Sequence, residues 1–314
     1  MKRRALLSCG VRGGLTLGIS KALHNTVAGY GHIGIGENLL TQDLDALAAE
    51  EFRVPIYYET TIDGVRVRVT RTNVRYESDH NGWRTVDVDA PASVGDFASD
   101  ISSLRSGSFS FSFMGPDAFF ESLAGSATRP HTVEAIRGSR YPSADPEAVE
   151  AFVGHSARQS EDVVVGLVEA FREHSHYDVM RYLAGAVDDN LLPIEAGLRN
   201  RFVPDASFEA FVERQESVGL FCGEYTILAR RAVQSVPASV QSPPLRGMLV
   251  HDRRHKHVYN AFASVQMTSS GLDIPVTFVD YMDTTLYDDL GLTGVLGSGF
   301  DAYDSWHRAD VIMW

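Results

Sequence analysis

The stretch GLFCGEYTILARRAV runs from Gly219 to Val233 and holds Cys222, one of two cysteines in a chain of 314 residues. The residues that follow Cys222 decide how the second half of the chain is read. Tyr225, Ile227, Leu228 and Val233 outline one apolar face at helical spacing, so the cysteine opens an amphipathic helix. Unpaired N–H groups and the dipole at a helix start favour a thiolate over a thiol. Gly223 lets the backbone come close to whatever binds there. A cysteine buried only for packing would fit the same residues, so the choice turns on whether a base follows.

Downstream, HDRRHKHVYNAFASV supplies His251, His255 and His257. His257 heads a run of alternating character, Val258 to Ala263, that reads as a strand and presents an imidazole at a sheet edge toward a helix start. After a turn at Ser269, Ser270 and Gly271, PVTFVDYMDTT reads as the paired strand and carries Asp280 and Asp283. A carboxylate there would fix the imidazole tautomer and stabilise the imidazolium. On a regular strand the two aspartates point to opposite faces, so only one can serve. Reflecting His257 through the turn favours Asp283.

Composition narrows the function classes. The net charge is −13, which argues against a nucleic-acid surface. Lys2, Lys21 and Lys256 are the only lysines among 28 basic residues. Many acids with almost no lysine resemble proteins of salt-loving archaea; a GC-rich bacterial coding bias gives the same pattern. Cys9 and Cys222 make no disulfide framework, and no apolar run has the length of a membrane span. The opening MKRRALLSCG carries Arg3 and Arg4 before Ala-Leu-Leu, similar to a twin-arginine export signal, and an ordinary cytoplasmic start is the alternative.

The rest of the chain supplies the frame. Residues 1–45 read as a peripheral segment, and residues 46–145 as a β-rich region. Within that region, residues 52–90 suggest three meander strands punctuated by Asp63-Gly64 and Asn81-Gly82. Residues 146–314 turn helical first. A helix enters at Asp145-Pro146, another carries Val164, Leu167, Val168 and Phe171 on one face, and a short one begins near Ser207. Trp306, Tyr303 and Trp314 read as packing residues. His251 and His255 read as loop polarity. The histidine cluster lacks a second cysteine or an H-E-x-x-H pattern, so no metal and no cofactor is expected.

The three motifs in order resemble the transglutaminase-like superfamily, relatives of papain in circularly permuted order. GLFCGEYTILARRAVQSVPAS is similar to its cysteine motif, HVYNAFASV to its histidine motif and VTFVDYMDTT to its aspartate motif, over about residues 150–290. The chain departs from the family at Tyr259 and Val276, where tryptophans are usual, and in a longer hairpin between His and Asp. The resemblance implies an α+β fold: an N-terminal antiparallel β-rich region, then a domain with a Cys at a helix start packed against an antiparallel sheet. It implies cysteine-dependent acyl transfer on a protein or peptide substrate, by hydrolysis or transamidation, through Cys222, His257 and Asp280. Asp283 is the alternative third member and Gln215 a candidate oxyanion donor. A non-catalytic binding module on the same fold is the competing expectation. The oligomeric state stays open.

Overall fold

The computed structural model describes residues 36–78, 82–138, 143–178, 181, 207–213, 217–255 and 257–314. The export-signal reading, Cys9 and Gln215 lie outside the described residues. The first described element is helix α1 (Leu44–Glu51), capped by Asp43, whose carboxylate accepts the Ala46 N–H. Four strands follow instead of the expected three: β1 (Tyr58–Ile62), β2 (Val65–Val69), β3 (Val74–Ser78) and β4 (Gly82–Thr85). They form an antiparallel sheet in sequence order. The β1–β2 turn is tight because Asp63 and Gly64 both adopt positive φ, 49° and 82°, which matches the twist of the paired strands. The inward residues Ile62, Val67, Val69, Val74 and Tyr76 pack against Val94, Phe97 and Ile101 of helix α2 (Ala92–Ser106).

From there the chain enters a second sheet. Strand β5 (Phe109–Phe113) is followed by helix α3 (Pro116–Leu123), the short strand β6 (Ala127–Thr128) and helix α4 (Pro130–Arg137). Helices α5 (Pro146–Val153) and α6 (Ser160–His174) come next, and Val164, Leu167, Val168 and Phe171 of α6 are all buried. A two-stranded parallel pair, β7 (Ser175–Tyr177) and β8 (Val218–Leu220), flanks helix α7 (Phe208–Glu213). Helix α8 (Cys222–Val233) starts directly after β8. The C-terminal part contributes β9 (Arg246–Asp252), β10 (His257–Ala263), β11 (Gln266–Thr268), β12 (Gly271–Val279), helices α9 (Tyr281–Asp289) and α10 (Thr293–Leu296), and β13 (Val311–Met313).

The second sheet has seven strands, in the order β13-β9-β10-β12-β11-β6, with β5 running parallel to β12. The other pairings are antiparallel. The molecule is therefore mixed α+β, with a β-rich N-terminal part and antiparallel sheets. Strands β5 and β6 precede residue 145 and pair with β12 and β11 inside the sheet that residues 246–313 complete. The first described residues reach this sheet as well. Leu39 and Leu44 are buried against this sheet, and Trp314 donates its indole N–H to Ala48 O at 2.8 Å. Tyr303 stacks on Phe278 and Trp314 is buried, as expected of packing residues, but Trp306 is 47% exposed.

Helix α6 packs against α8 and α9. Phe171 takes Tyr225 of α8 edge-on at 5.1 Å and Tyr281 of α9 at 5.5 Å. Tyr281 also donates its hydroxyl to Val164 O at 2.8 Å. One helix thus sets the positions of the two whose N-termini matter below.

The segment after α10 crosses closely over α9. At Gly299, φ is +72°, and a Cβ there would sit 2.8 Å from Asp283 backbone carbon. Gly64 has a similar φ but faces open space. Gly299→Ala is therefore expected to destabilise the fold by about 2–3 kcal/mol, and Gly64→Ala by only about 1 kcal/mol. Urea unfolding of the two variants checks this, and equal losses would mean that the close approach carries no weight.

Candidate active site

Cys222 is the first residue of α8, half-buried, with its sulfur outside any disulfide. The helix begins there because Phe221 is extended (φ −105°, ψ 165°) and Glu224 reaches back from the first turn to accept the Phe221 N–H at 2.8 Å. Glu224 also pairs with the buried guanidinium of Arg181, which lies over the Phe221 ring at 4.1 Å. The turn carrying the thiol is thus clamped from outside the helix.

Two buried polar side chains lock α8 onto the sheet beside His257. The Thr226 hydroxyl lies 2.6 Å from Cys222 O and 3.1 Å from Val258 O, joining the first turn of the helix to the start of β10. Asn260, three residues after His257, donates to Thr226 O at 3.0 Å. Neither residue was singled out from the sequence. Their contacts fix the height of Cys222 against His257.

His257 is the first residue of β10 and only 3% exposed. Its Nε2 is hydrogen-bonded to Asp280 Oδ2. Cys222 is close enough to the same ring to raise its proton affinity, and Nδ1 is the ring nitrogen that Asp280 does not engage. Tyr259, two residues on and so on the same face of the strand, stacks on the imidazole at 5.6 Å with 21° between planes. Burial alone would lower the proton affinity of His257. The Asp280 charge, its hydrogen bond and Cys222 outweigh that and raise the pKa well above the ordinary 6.5.

The aspartates sit differently from the strand picture. Strand β12 ends at Val279, and Asp280 is the N-cap of α9. Its Oδ1 accepts the backbone N–H groups of Met282 at 3.0 Å and Asp283 at 3.3 Å. Asp283 is in the first helical turn, so strand parity does not govern it. Its carboxylate accepts the Tyr287 hydroxyl at 2.7 Å. The structure therefore brings Asp280 to the imidazole of His257 and turns Asp283 toward Tyr287. His255 binds Asp252 through Nδ1 at 2.7 Å, at the β9–β10 turn, and His251 lies on β9 opposite Val258. Neither joins the Cys222 group.

A residue the sequence reading passed over does join it. Backbone bonds from Asp280 N to Phe300 O and from Ala302 N to Phe278 O hold the C-terminal segment along the end of β12. The chain then turns at Asp304 and delivers His307, whose Nε2 lies 3.2 Å from Asp280 Oδ2 and whose Nδ1 lies 3.0 Å from Asp304 Oδ2. An Asp three residues before a His was the only local signal, and the same spacing at Asp252 and His255 made it uninformative. His257, Asp280 and His307 have their ligand-type atoms within 4.8 Å of one another. Both Nε2 atoms are in hydrogen-bond contact with one carboxylate oxygen, Asp280 Oδ2.

These geometries set opposite electrostatics on the two aspartates. Burial would raise the Asp280 pKa, but His257, His307 and the hydrogen bonds to both pull it well below the carboxylate range. Burial, then the Asp280 charge, push Asp283 up to about 7. Among the described residues no helix is long and apolar enough to cross a membrane. Comparison with protein-family models, curated proteins and solved structures finds no match to this chain.

The two aspartates should respond to pH with opposite signs. Asp283 binds its proton more tightly folded than unfolded, so its contribution is full below about pH 4 and is lost as pH rises toward 7. Asp283→Asn, which keeps an acceptor for Tyr287, is expected to gain at least about 1 kcal/mol over the parent above pH 7 and nothing near pH 4. Asp280, with its lowered pKa, stabilises above about pH 4 and loses this as acid protonates it. Asp280→Asn should therefore destabilise at neutral pH, by a margin that shrinks in acid. Urea midpoints of Asp283→Asn at pH 4, 7 and 8.5, and of Asp280→Asn at pH 7, 4 and 2.5, check both signs.

Proposed function

We propose that the protein is a cysteine-dependent acyl-transfer enzyme of transglutaminase-like type, with Cys222 as nucleophile, His257 as proton carrier and Asp280 as the group that orients and charges it. The observation that carries this reading is the placement of Cys222 at a helix start, near enough to a buried imidazole to act on its charge, with that imidazole hydrogen-bonded to Asp280. A structural cysteine needs none of these three. The half-exposed thiol leaves room for a substrate carbonyl, whereas the base and the aspartate are closed off from water.

In this reading, proton transfer between Cys222 and His257 gives a thiolate beside an imidazolium. The thiolate attacks the carbonyl carbon of a peptide or side-chain amide. The carbonyl oxygen becomes an oxyanion, for which the N–H groups at the start of α8 are the local donors. Collapse of the tetrahedral species breaks the C–N bond, and the imidazolium gives its proton to the departing amine. Water, deprotonated by His257, then releases the acid and restores the thiol; an amine in place of water gives transamidation. Asp280 stays ionised throughout and keeps the imidazole turned toward Cys222.

Native protein treated with iodoacetamide at pH 6–7 should be alkylated at Cys222 about 100-fold faster than a thiol of pKa about 8.5, which is mostly protonated there. His257→Ala should remove most of that advantage, and His251→Ala, outside the group, should leave it nearly intact. Alkylation of the wild type only after denaturation would sink the reading and favour a binding module with a packed cysteine.

A further inference from the structure

We propose that His307 is a positioning residue of this site: a second imidazole that shares the Asp280 carboxylate with His257 and, through that shared oxygen, sets how tightly His257 holds its proton. The inference rests on the acyl-transfer reading for its purpose, but the coupling between the two histidines is a separate claim about the fold.

His307 cannot serve as an alternative base. Both of its ring nitrogens face carboxylates, Nε2 toward Asp280 and Nδ1 toward Asp304, so it has none to turn toward Cys222. A ring with a carboxylate at each nitrogen is held as imidazolium, both nitrogens donating. Burial would oppose this, but the bonds to Asp280 and Asp304 outweigh it and raise the ring to about 10. Asp280 Oδ2 therefore receives donors from two imidazoles, while Oδ1 is occupied by two backbone N–H groups. The negative charge that His257 meets is one already partly neutralised from the other side.

The geometry is built. Asp304 accepts the backbone N–H groups of Trp306 and His307, at 2.7 and 2.8 Å, so its carboxylate is fixed beside the ring. The His307 carbonyl accepts Leu39 N–H at 2.9 Å, and two residues further on Ala309 N–H is held by the Gln42 side chain. Tyr259 touches both imidazoles, stacked on His257 and edge-on to His307 at 5.2 Å. The charged or titratable groups around His307 are Asp280 and Asp283 from α9, His257 and Tyr259 from β10, Asp301 and Asp304 from its own segment, and Arg308 next in the chain. Tyr287 completes the set through Asp283. Among the described residues, His257 and Arg308 are the groups that add positive charge there, and Arg308 is bonded to Asp310 at 2.7 Å.

The two imidazole centroids are 6.3 Å apart. A positive charge at that distance lowers the proton affinity of its neighbour by roughly one to two pH units at an effective dielectric near 20. Without His307, the bare Asp280 carboxylate would hold the proton on His257 more firmly, hindering its transfer to a leaving amine. With His307, the proton is held less tightly and becomes easier to give.

The test is an NMR titration of the whole protein labelled with ring-15N histidine, alongside the pH dependence of Cys222 alkylation by iodoacetamide. In His307→Gln, the His257 midpoint is expected to rise by roughly one to two pH units. An unchanged His257 midpoint would overturn the proposal and leave His307 as packing. If His307→Gln does not fold, Asp304→Asn serves. It keeps the imidazole and removes one of its anions, so the His307 midpoint should fall, and as His307 loses its charge at higher pH the His257 resonance should shift with it; two titrations that ignore each other overturn the proposal equally. Coupled histidine titrations with a slow Cys222 in the wild type would retain the histidine pair and reject acyl transfer. A fast Cys222 with uncoupled histidines would do the reverse.

Discussion

The carboxylate of Asp280 is the point on which the site depends. A buried charge is costly unless its lone pairs are filled, and here two backbone N–H groups and two imidazoles fill them. The bonds to Met282 and Asp283 make Asp280 the cap of α9. The same residue therefore ends β12, begins a helix and orients His257. Because the cap and the imidazole partner are one side chain, the aspartate cannot drift from the histidine without unwinding the first turn of α9.

Cys222 is held by an analogous economy. Thr226 bonds back to Cys222 O and across to Val258 O, and Asn260 bonds to Thr226 O. The helix start and the head of β10 are thus joined by side chains one turn from the chemistry. Behind them, Phe171 receives Tyr225 and Tyr281, so α8 and α9 share a support. The imidazole and Asp280 are buried and the thiol is half-buried, which on the proposed acyl-transfer reading makes the thiol the side open to a substrate.

Much of this was legible in the sequence, and the gaps have physical causes. Periodicity gave the helix at Cys222, the strand at His257 and the apolar face of α6, because those patterns report which side of an element is buried. Periodicity failed at Asp280, where the element type changes. Asp280-Tyr-Met-Asp283 reads as a strand end or as a helix cap with an acid in the first turn, and only packing beside Tyr281 decides. Parallel pairing of β5 with β12 joins residues more than 150 positions apart, and no local pattern carries that information. His307 was hidden for the same reason. Its partner Asp280 is distant in sequence, and the loop that delivers it is steered by backbone bonds to β12 that side-chain chemistry does not announce.

The long-range character of these contacts has a consequence for how the site is kept. Cys222, His257 and Asp280 sit on separate elements and His307 on the segment before β13, and no pair is joined by a short local turn. A site assembled this way forms only once the second sheet has closed, including β13 and the segment before it, since that segment carries His307 and its Asp304 support. Before closure, Asp280 and His307 are solvated and carry ordinary proton affinities. Desolvation during closure raises the cost of each isolated charge while bringing its partners into range. The network is therefore stable only when all of its members arrive together, which ties the electrostatics of the thiol to the completeness of the fold.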